Sequence, residues 1–224
     1  MIAPRVRISV YDLDRTITSL PTWTPFLLHA AKATAPWRLA LTPLVGIAAL
    51  SHRDRDRRKQ AMHRLMLGAT LTAEMATRLA EDFAERLTRD HIRPGARAQM
   101  AADRADGRRI VIATAAHAFY ARAIADRLGV VDLVATQARR NAAGDVTPLL
   151  DGPNCYGVAK RMMLERWLAD AGIDRANAHI RFHSDHVSDA PSFEWADEAV
   201  AVNPHARLRT VAVARGWPIL DWGA

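Results

Sequence analysis

Ile8-Ser9-Val10-Tyr11-Asp12-Leu13-Asp14-Arg15-Thr16 sets two carboxylates two residues apart at the end of an apolar, strand-like alternation, and a hydroxyl follows them. Side chains i and i+2 of a strand share a face, so Asp12 and Asp14 can converge on one cation or phosphate if the strand ends there. Their mutual repulsion then calls for a positive charge close by. Taken alone, the stretch reads equally well as a reaction centre or as a solvated Asp-rich turn. The rest of the chain decides between them.

Working outward, residues 5 to 12 read as a first strand, and the next strongly strand-like run is Arg109 to Thr114. The pattern between them is helical: Thr72 can cap a helix in which Met75, Leu79, Phe83 and Leu87 recur every four residues, and Pro94-Gly95 is expected to close that region. Beyond Thr114, Phe119, Ile124 and Leu128 fall on one face of a helix ended by Gly129, and Asp132 to Ala135 is a short apolar run. Asn141 to Gly144 reads as the turn of a hairpin. Val158, Met162, Leu164 and Trp167 mark a further helix before Gly172, and residues 179–183 and 198–202 read as two more strands. Strands alternating with helices predict an α/β fold with a doubly wound, mostly parallel sheet. In such sheets ligands gather outside the carboxyl ends of the strands. Asp12, Asp14, Thr114 and Ser184 to Asp189 all fall there, with Lys160 near the start of a helix.

Composition narrows the classes. The chain has 224 residues, half of them hydrophobic and a quarter charged, enough for one substantial domain with an appendage rather than a disordered chain. The lone Cys155 forms no intrachain disulfide and no Cys-rich zinc framework, and the start lacks the apolar core of a signal peptide, so a cytoplasmic protein is expected. The formal charge of +7 comes almost wholly from Arg dispersed among Ala. No run interleaves basic and aromatic residues as single-strand binders do, which argues against nucleic acid. The only lysines are Lys32, Lys59 and Lys160. A compact ammonium at 160, in a chain that otherwise uses the wide guanidinium fork, suggests a site where Arg does not fit.

Together these residues resemble the haloacid dehalogenase superfamily of phosphohydrolases. Asp12-x-Asp14-x-Thr16 resembles its first motif, the run ending in Thr114 its second, Gly157-x-x-Lys160 its third and Asp185-x-x-x-Asp189 its fourth, in order and from Val6 to Asn203-Pro204. The helical insertion further resembles the type I cap of the phosphoserine phosphatase-like branch. The resemblance implies a Rossmann-like catalytic core over 1–18 and 95–224 and a cap over 19–94. It implies that Asp12 attacks phosphorus, that Asp14 is general acid and base, and that Thr114 and Lys160 stabilise the phosphoryl oxygens. It also implies a Mg2+ held by Asp12, the backbone carbonyl of Asp14 and Asp185, with Asp189 orienting Lys160 or a metal-bound water. Arg15, Thr16, Ala115, His117 and His186 are candidate substrate contacts. His183 and His186 among the acids leave a transition-metal site as an alternative reading.

Departures bear on substrate more than on reaction. Arg15 stands where the family often has Gly, Ser184 and His186 replace common fourth-motif residues, and Pro21 replaces the Glu that binds substrate in phosphoserine phosphatases. Residues 23–50 are strongly apolar, yet the uncharged run 39–50 is too short for the roughly 20 residues of a membrane span. The basic stretch His52 to Lys59 follows it. An apolar segment before a basic one suits either a packed cap or a membrane interface with anionic lipid. The expected partner is therefore a small phosphorylated substrate or, as in phosphatidylglycerophosphate phosphatases of this branch, a phospholipid met by peripheral membrane contact. A non-catalytic phosphate- or RNA-binding protein is the alternative of another class.

Overall fold

The alternation of residues 6–11 buries both faces of a strand, and that strand, β1 (Val6–Tyr11), lies inside a sheet rather than at its edge. The computed structural model describes residues 5–51 and 54–223. After β1 come α1 (Trp23–Thr34), α2 (Thr42–Ser51), α3 (Arg55–Leu67), α4 (Ala73–Asp90) and α5 (Pro94–Ala105). The chain returns to the sheet as β2 (Arg109–His117), then continues through α6 (Ala118–Arg127), β3 (Asp132–Thr136), β4 (Ala138–Arg140), β5 (Val146–Leu150) and α7 (Val158–Asp170). It ends with β6 (Ala178–Ser184), α8 (Ala190–Trp195), β7 (Glu198–Val202), α9 (Ala206–Arg215) and β8 (Ile219–Leu220).

Six strands make one sheet in the order β3-β2-β1-β6-β7-β8, every neighbour parallel, and β4 and β5 form the separate antiparallel hairpin expected around Asn141 to Gly144. The fold is thus the Rossmann-like α/β arrangement read from the sequence. Strand order reverses direction on either side of β1, the position where such sheets open a crevice. Ile8, Val10, Val111, Ala113, Ile180 and Phe182 face one way, against Leu164 and Leu168 of α7, Phe193 of α8 and Leu208 of α9. Tyr11, Ile110 and Ile112 belong to the other core, with residues of α1, α3, α4, α5 and α6. Alternation carries Asp12 onto the Ile8–Val10 face, the side covered by α7.

Thr72 caps α4 as expected, its hydroxyl accepting from the Met75 amide, and Leu79, Phe83 and Leu87 are buried. One local expectation is corrected. Pro94-Gly95 opens α5 instead of closing a helical region, because proline's missing N–H and fixed φ suit a first helical turn. Gly95 is there because a Cβ would meet Trp222 at 2.6 Å. The helix marked by Val158, Met162, Leu164 and Trp167 is α7, in which Val158 and Met162 are exposed while Lys160, Leu164 and Leu168 are buried. The inner face begins with a charge.

Candidate active site

The register assembles the site. Tyr11 pairs with Ile112 on one side and His183 on the other, so Asp12 and Asp185 leave the sheet at neighbouring strand ends, with Thr114 two residues beyond Ile112 in β2. The Asp12 amide donates to the His183 carbonyl at 2.9 Å, extending the pairing one residue past the strand. The chain then makes a single tight turn over Leu13–Ile17, with Arg15 at φ 63°. That is the left-handed conformation glycine adopts freely and other residues adopt under strain, so the Arg15 departure leaves the turn in place at some conformational cost. The turn brings the Thr16 hydroxyl to 3.3 Å from both Asp12 Oδ2 and Asp185 Oδ1, where it also accepts the Asp185 amide at 3.0 Å.

Lys160 projects from the first turn of α7 and donates to Asp12 Oδ1 and Asp189 Oδ2, each at 2.7 Å. The Ser184 hydroxyl donates to the same Asp189 oxygen at 2.7 Å. All of these side chains are buried. Asp14 turns the other way and accepts the Thr22 amide at 2.8 Å, which directs its carboxyl toward α1. A cavity of about 280 Å³ lies over this edge, and Asp12, Asp14, Lys160, Asp185 and Asp189 line it with Arg15 and His186.

The acids outnumber the cations. Burial, then repulsion from Asp189, Asp185 and Asp14, pushes Asp12 up to about 8 despite the attraction of Lys160. Burial and Asp189 raise Asp185 to about 6, and burial raises Asp14. Burial alone would discharge Lys160, but Asp12 and Asp189 outweigh it and keep the ammonium protonated. Such an edge is short of positive charge. Oxygen donors only, two of them buried carboxylates, suit a hard cation such as Mg2+, which commonly uses one or two carboxylates and keeps water. Among the described residues no group of three His, Cys, Asp or Glu side chains is placed to hold a metal ion. His183 does not line the cavity: it stacks on Tyr11 with ring centroids 4.3 Å apart, and its Nδ1 faces the Val10 carbonyl.

Not every candidate reaches the cavity. Thr114 is wholly buried, its hydroxyl accepting the Ala116 amide at 3.0 Å, and Ala115 lines the cavity instead. Thr16 holds the turn, and His117 is buried against Trp23. Residues absent from the sequence reading do reach the site. Arg55 and Tyr156 line it, the guanidinium lying 4.0 Å over the ring. Lys59 donates to the Ala115 carbonyl and, at 2.9 Å, to Asn154 Oδ1, while Asn154 donates to Asp56 at 3.0 Å. The rarity of lysine, which singled out Lys160, pointed to Lys59 as well. The basic stretch is therefore not one solvated face: Asp54 caps α3 and Lys59 turns inward, while His52 and Arg53 lie outside the described residues.

A family model described as haloacid dehalogenase-like hydrolase matches residues 10–194. Among curated proteins, a histidinol-phosphatase of Neisseria meningitidis is 27% identical over 133 residues, 59% of this chain and 60% of that protein. The phosphoserine phosphatase SerB1 of Mycobacterium tuberculosis is 32% identical over 146 residues, 64% of this chain and 46% of its own length. The chain thus spans about half the length of these curated relatives. A solved structure from Bordetella pertussis, of unknown function, is 26% identical and superposes with a TM-score of 0.85 over 98% of this chain and all of that one. A substrate-bound phosphoserine phosphatase, 15% identical over 98% of this chain and 94% of its own, shares the fold with a TM-score of 0.66. With the four motif segments meeting at one sheet edge and a family model covering most of the length, this chain belongs to the haloacid dehalogenase-like hydrolases.

Proposed function

We propose that this chain is a magnesium-dependent phosphatase that hydrolyses a small phosphate monoester through an aspartyl phosphate on Asp12. One observation carries the reading: the Lys160 ammonium lies between Asp12 and Asp189 at 2.7 Å from each, with Asp185 and Asp14 at the same strand edge. In the first step an Asp12 oxygen attacks phosphorus, the bond from phosphorus to the alcohol oxygen breaks, and the Asp14 proton passes to that oxygen. In the second, water attacks phosphorus, gives its proton to Asp14, and the bond to Asp12 breaks to release phosphate. Burial of Asp14 favours the protonated acid that the first step requires. Asp12, Asp185 and the Asp14 carbonyl would hold the Mg2+, which supplies the positive charge that the acidic edge lacks and neutralises phosphoryl oxygens. Lys160 serves those oxygens as charge builds on them, Asp189 orients Lys160, and Thr114 holds the Ala116 amide beside the cavity-lining Ala115.

We assign the core to 1–18 and 95–224 and the cap to 19–94, the segment that contains α1 to α4. Pro21 lines the cavity and offers no carboxylate for an amino group, so phosphoserine is not the expected substrate. The relatives named as phosphatases support the reaction class. The test is phosphate release from p-nitrophenyl phosphate with Mg2+. Asp12→Asn is expected to lower it by about 10³-fold or more, removing the nucleophile, with the folded spectrum retained. Absence of turnover on every phosphoester tried would leave a phosphate-binding relative as the better account.

A second reading, a lipid-phosphate phosphatase held at the inner membrane face, has one observation in its favour. Trp37, Leu44 and Ile47 are 64%, 47% and 59% exposed, in a segment with no acidic residue between Asp14 and Asp54. No helix among the described residues is long and apolar enough to cross a membrane. On this reading the protein sediments with anionic but not neutral vesicles, and Trp37→Ala weakens the association. Equal behaviour with both vesicle types removes it.

A further inference from the structure

Three of the 31 lysines and arginines are lysines. Lys160 and Lys59 are both held at or beside the reaction cavity, the first by Asp12 and the second by the carbonyl of the cavity-lining Ala115. Lys32 is the one that the reaction leaves unused. It lines a different cavity, of about 420 Å³, formed between α1 and α4. Leu28 and Lys32 stand one turn apart on α1, and Phe83, Arg86 and Leu87 share one face of α4. Leu39, a few residues beyond α1, joins them. The floor is apolar: Phe83 and Leu87 are buried, and Leu28 and Leu39 are half-buried.

The charge here has one sign. Lys32 and Arg86 are exposed, and neither makes a hydrogen bond or an ion pair among the described residues. No acidic side chain lines this cavity among the described residues, whereas four carboxylates line the one over the strand edge. Burial, then the Arg86 charge, lowers His29 on the α1 wall, so the guanidinium of α4 acts across the cavity. A lysine or arginine beside apolar surface lays its methylene stem along it and keeps its charged head in water. The outcome is a trough with an apolar floor and a positive rim. Its complement is a single alkyl chain that ends in an anion. A short polar anion would gain nothing from Phe83 and Leu87, and a chain with a cationic head would meet Lys32 and Arg86.

We propose that this cavity between α1 and α4 binds an alkyl carboxylate, a free fatty acid of medium chain length, at a site separate from the reaction cavity. The proposal stands apart from the phosphatase reading. The volume lies within the range of small-ligand sites and suits one chain.

Calorimetry of the full chain with dodecanoate, kept below the concentration at which it forms micelles, tests the site. A single dodecanoate is expected per chain. Decanoate, two methylenes shorter, binds about tenfold more weakly, as burial of its chain requires. Dodecyltrimethylammonium, the same chain with the opposite charge, does not bind. Lys32→Gln and Arg86→Gln each weaken dodecanoate by about tenfold, the loss of one charged donor. Both side chains are exposed, so these variants keep the fold, which thermal unfolding verifies. Arg166→Gln removes the same charge from an exposed position on α7 and leaves the affinity unchanged. Absence of binding, several molecules per chain, equal affinity for the cationic chain or for decanoate, or equal weakening by all three substitutions overturns the proposal. Association with anionic vesicles but not with monomeric dodecanoate would make this face a membrane surface, and overturns it too.

Discussion

On the sheet side of the cleft, Lys160 joins Asp12 to Asp189, Ser184 completes Asp189, and Thr16 links Asp12 to Asp185. On the helical side, Trp23 of α1, His63 of α3 and His117 at the end of β2 pack ring against ring, and their buried nitrogens have no partner among the described residues. The first side is set by strand register and is internally paired. The second is set by helix packing, ring against ring. On the proposed phosphatase reading, the first side is the one that holds the phosphoryl group.

The sharpest way to break that contrast is Lys160→Met. It leaves Asp12 and Asp189 buried without their counter-charge, and breaking a buried pair from one end costs about 3–5 kcal/mol. Urea unfolding in the presence of chelator should show that loss, and added Mg2+ should recover part of it. An unaltered midpoint would mean that the sheet side is not held together by this ion pair.

The second perturbation acts on the helical side through pH. His63 has a folded value of about 4 against an ordinary 6.5. The unfolded chain therefore binds the proton more readily between those values, and stability rises with pH across that window. Read downward, the contribution is present above about pH 6.5 and is lost as pH falls toward 4, to the extent of about 3 kcal/mol. His63→Phe should flatten that part of the stability profile measured by thermal or urea unfolding. An identical slope in both proteins would show that His63 titrates freely in the fold.

Lys59→Met is the mildest and addresses the joint between the sides, since Lys59 ties α3 to the Ala115 carbonyl and to Asn154. Two hydrogen bonds from a charged donor, less the relief of a partly buried ammonium, amount to about 2 kcal/mol. The loss should appear as faster amide exchange in α3 before any change in the sheet. Uniform exchange throughout would place the joint elsewhere.

The same contrast explains what the sequence revealed. Asp12, Asp185, Asp189 and Lys160 were legible because strand ends gather polar residues by local rules, and because lysine is rare in this chain. A mostly parallel sheet and the hairpin followed from alternation and turn chemistry, whereas the order of the six strands, set by long-range pairing, did not. The helical side was much less legible. α4 declared itself through a cap and a regular apolar stripe, but α3 carries Lys59 and His63 on its inward face, so its burial is invisible to hydrophobic periodicity. In α7 the inward Lys160 displaced the apparent stripe by the same mechanism. Thr114 was found by position, yet its placement behind Ala115 depends on how β2 continues to His117 and shifts register against β3.

β1 sits in the interior of the sheet, and its two neighbours are β2 and β6, which begin at residues 109 and 178. Asp12, at the end of that first strand, therefore waits on partners that a ribosome delivers much later. Closing loops of that size carries an entropic penalty before contacts reward it, which slows assembly of non-local pairings. Helices α1 to α3, which pack largely on one another, can organise while the first strand is still unpaired, whereas α4 packs chiefly on the later α6. During synthesis the chain thus passes through a stage with its helices formed and no reaction centre, and competence arrives only when the segment through Asp189 has emerged and threaded its strand beside the first.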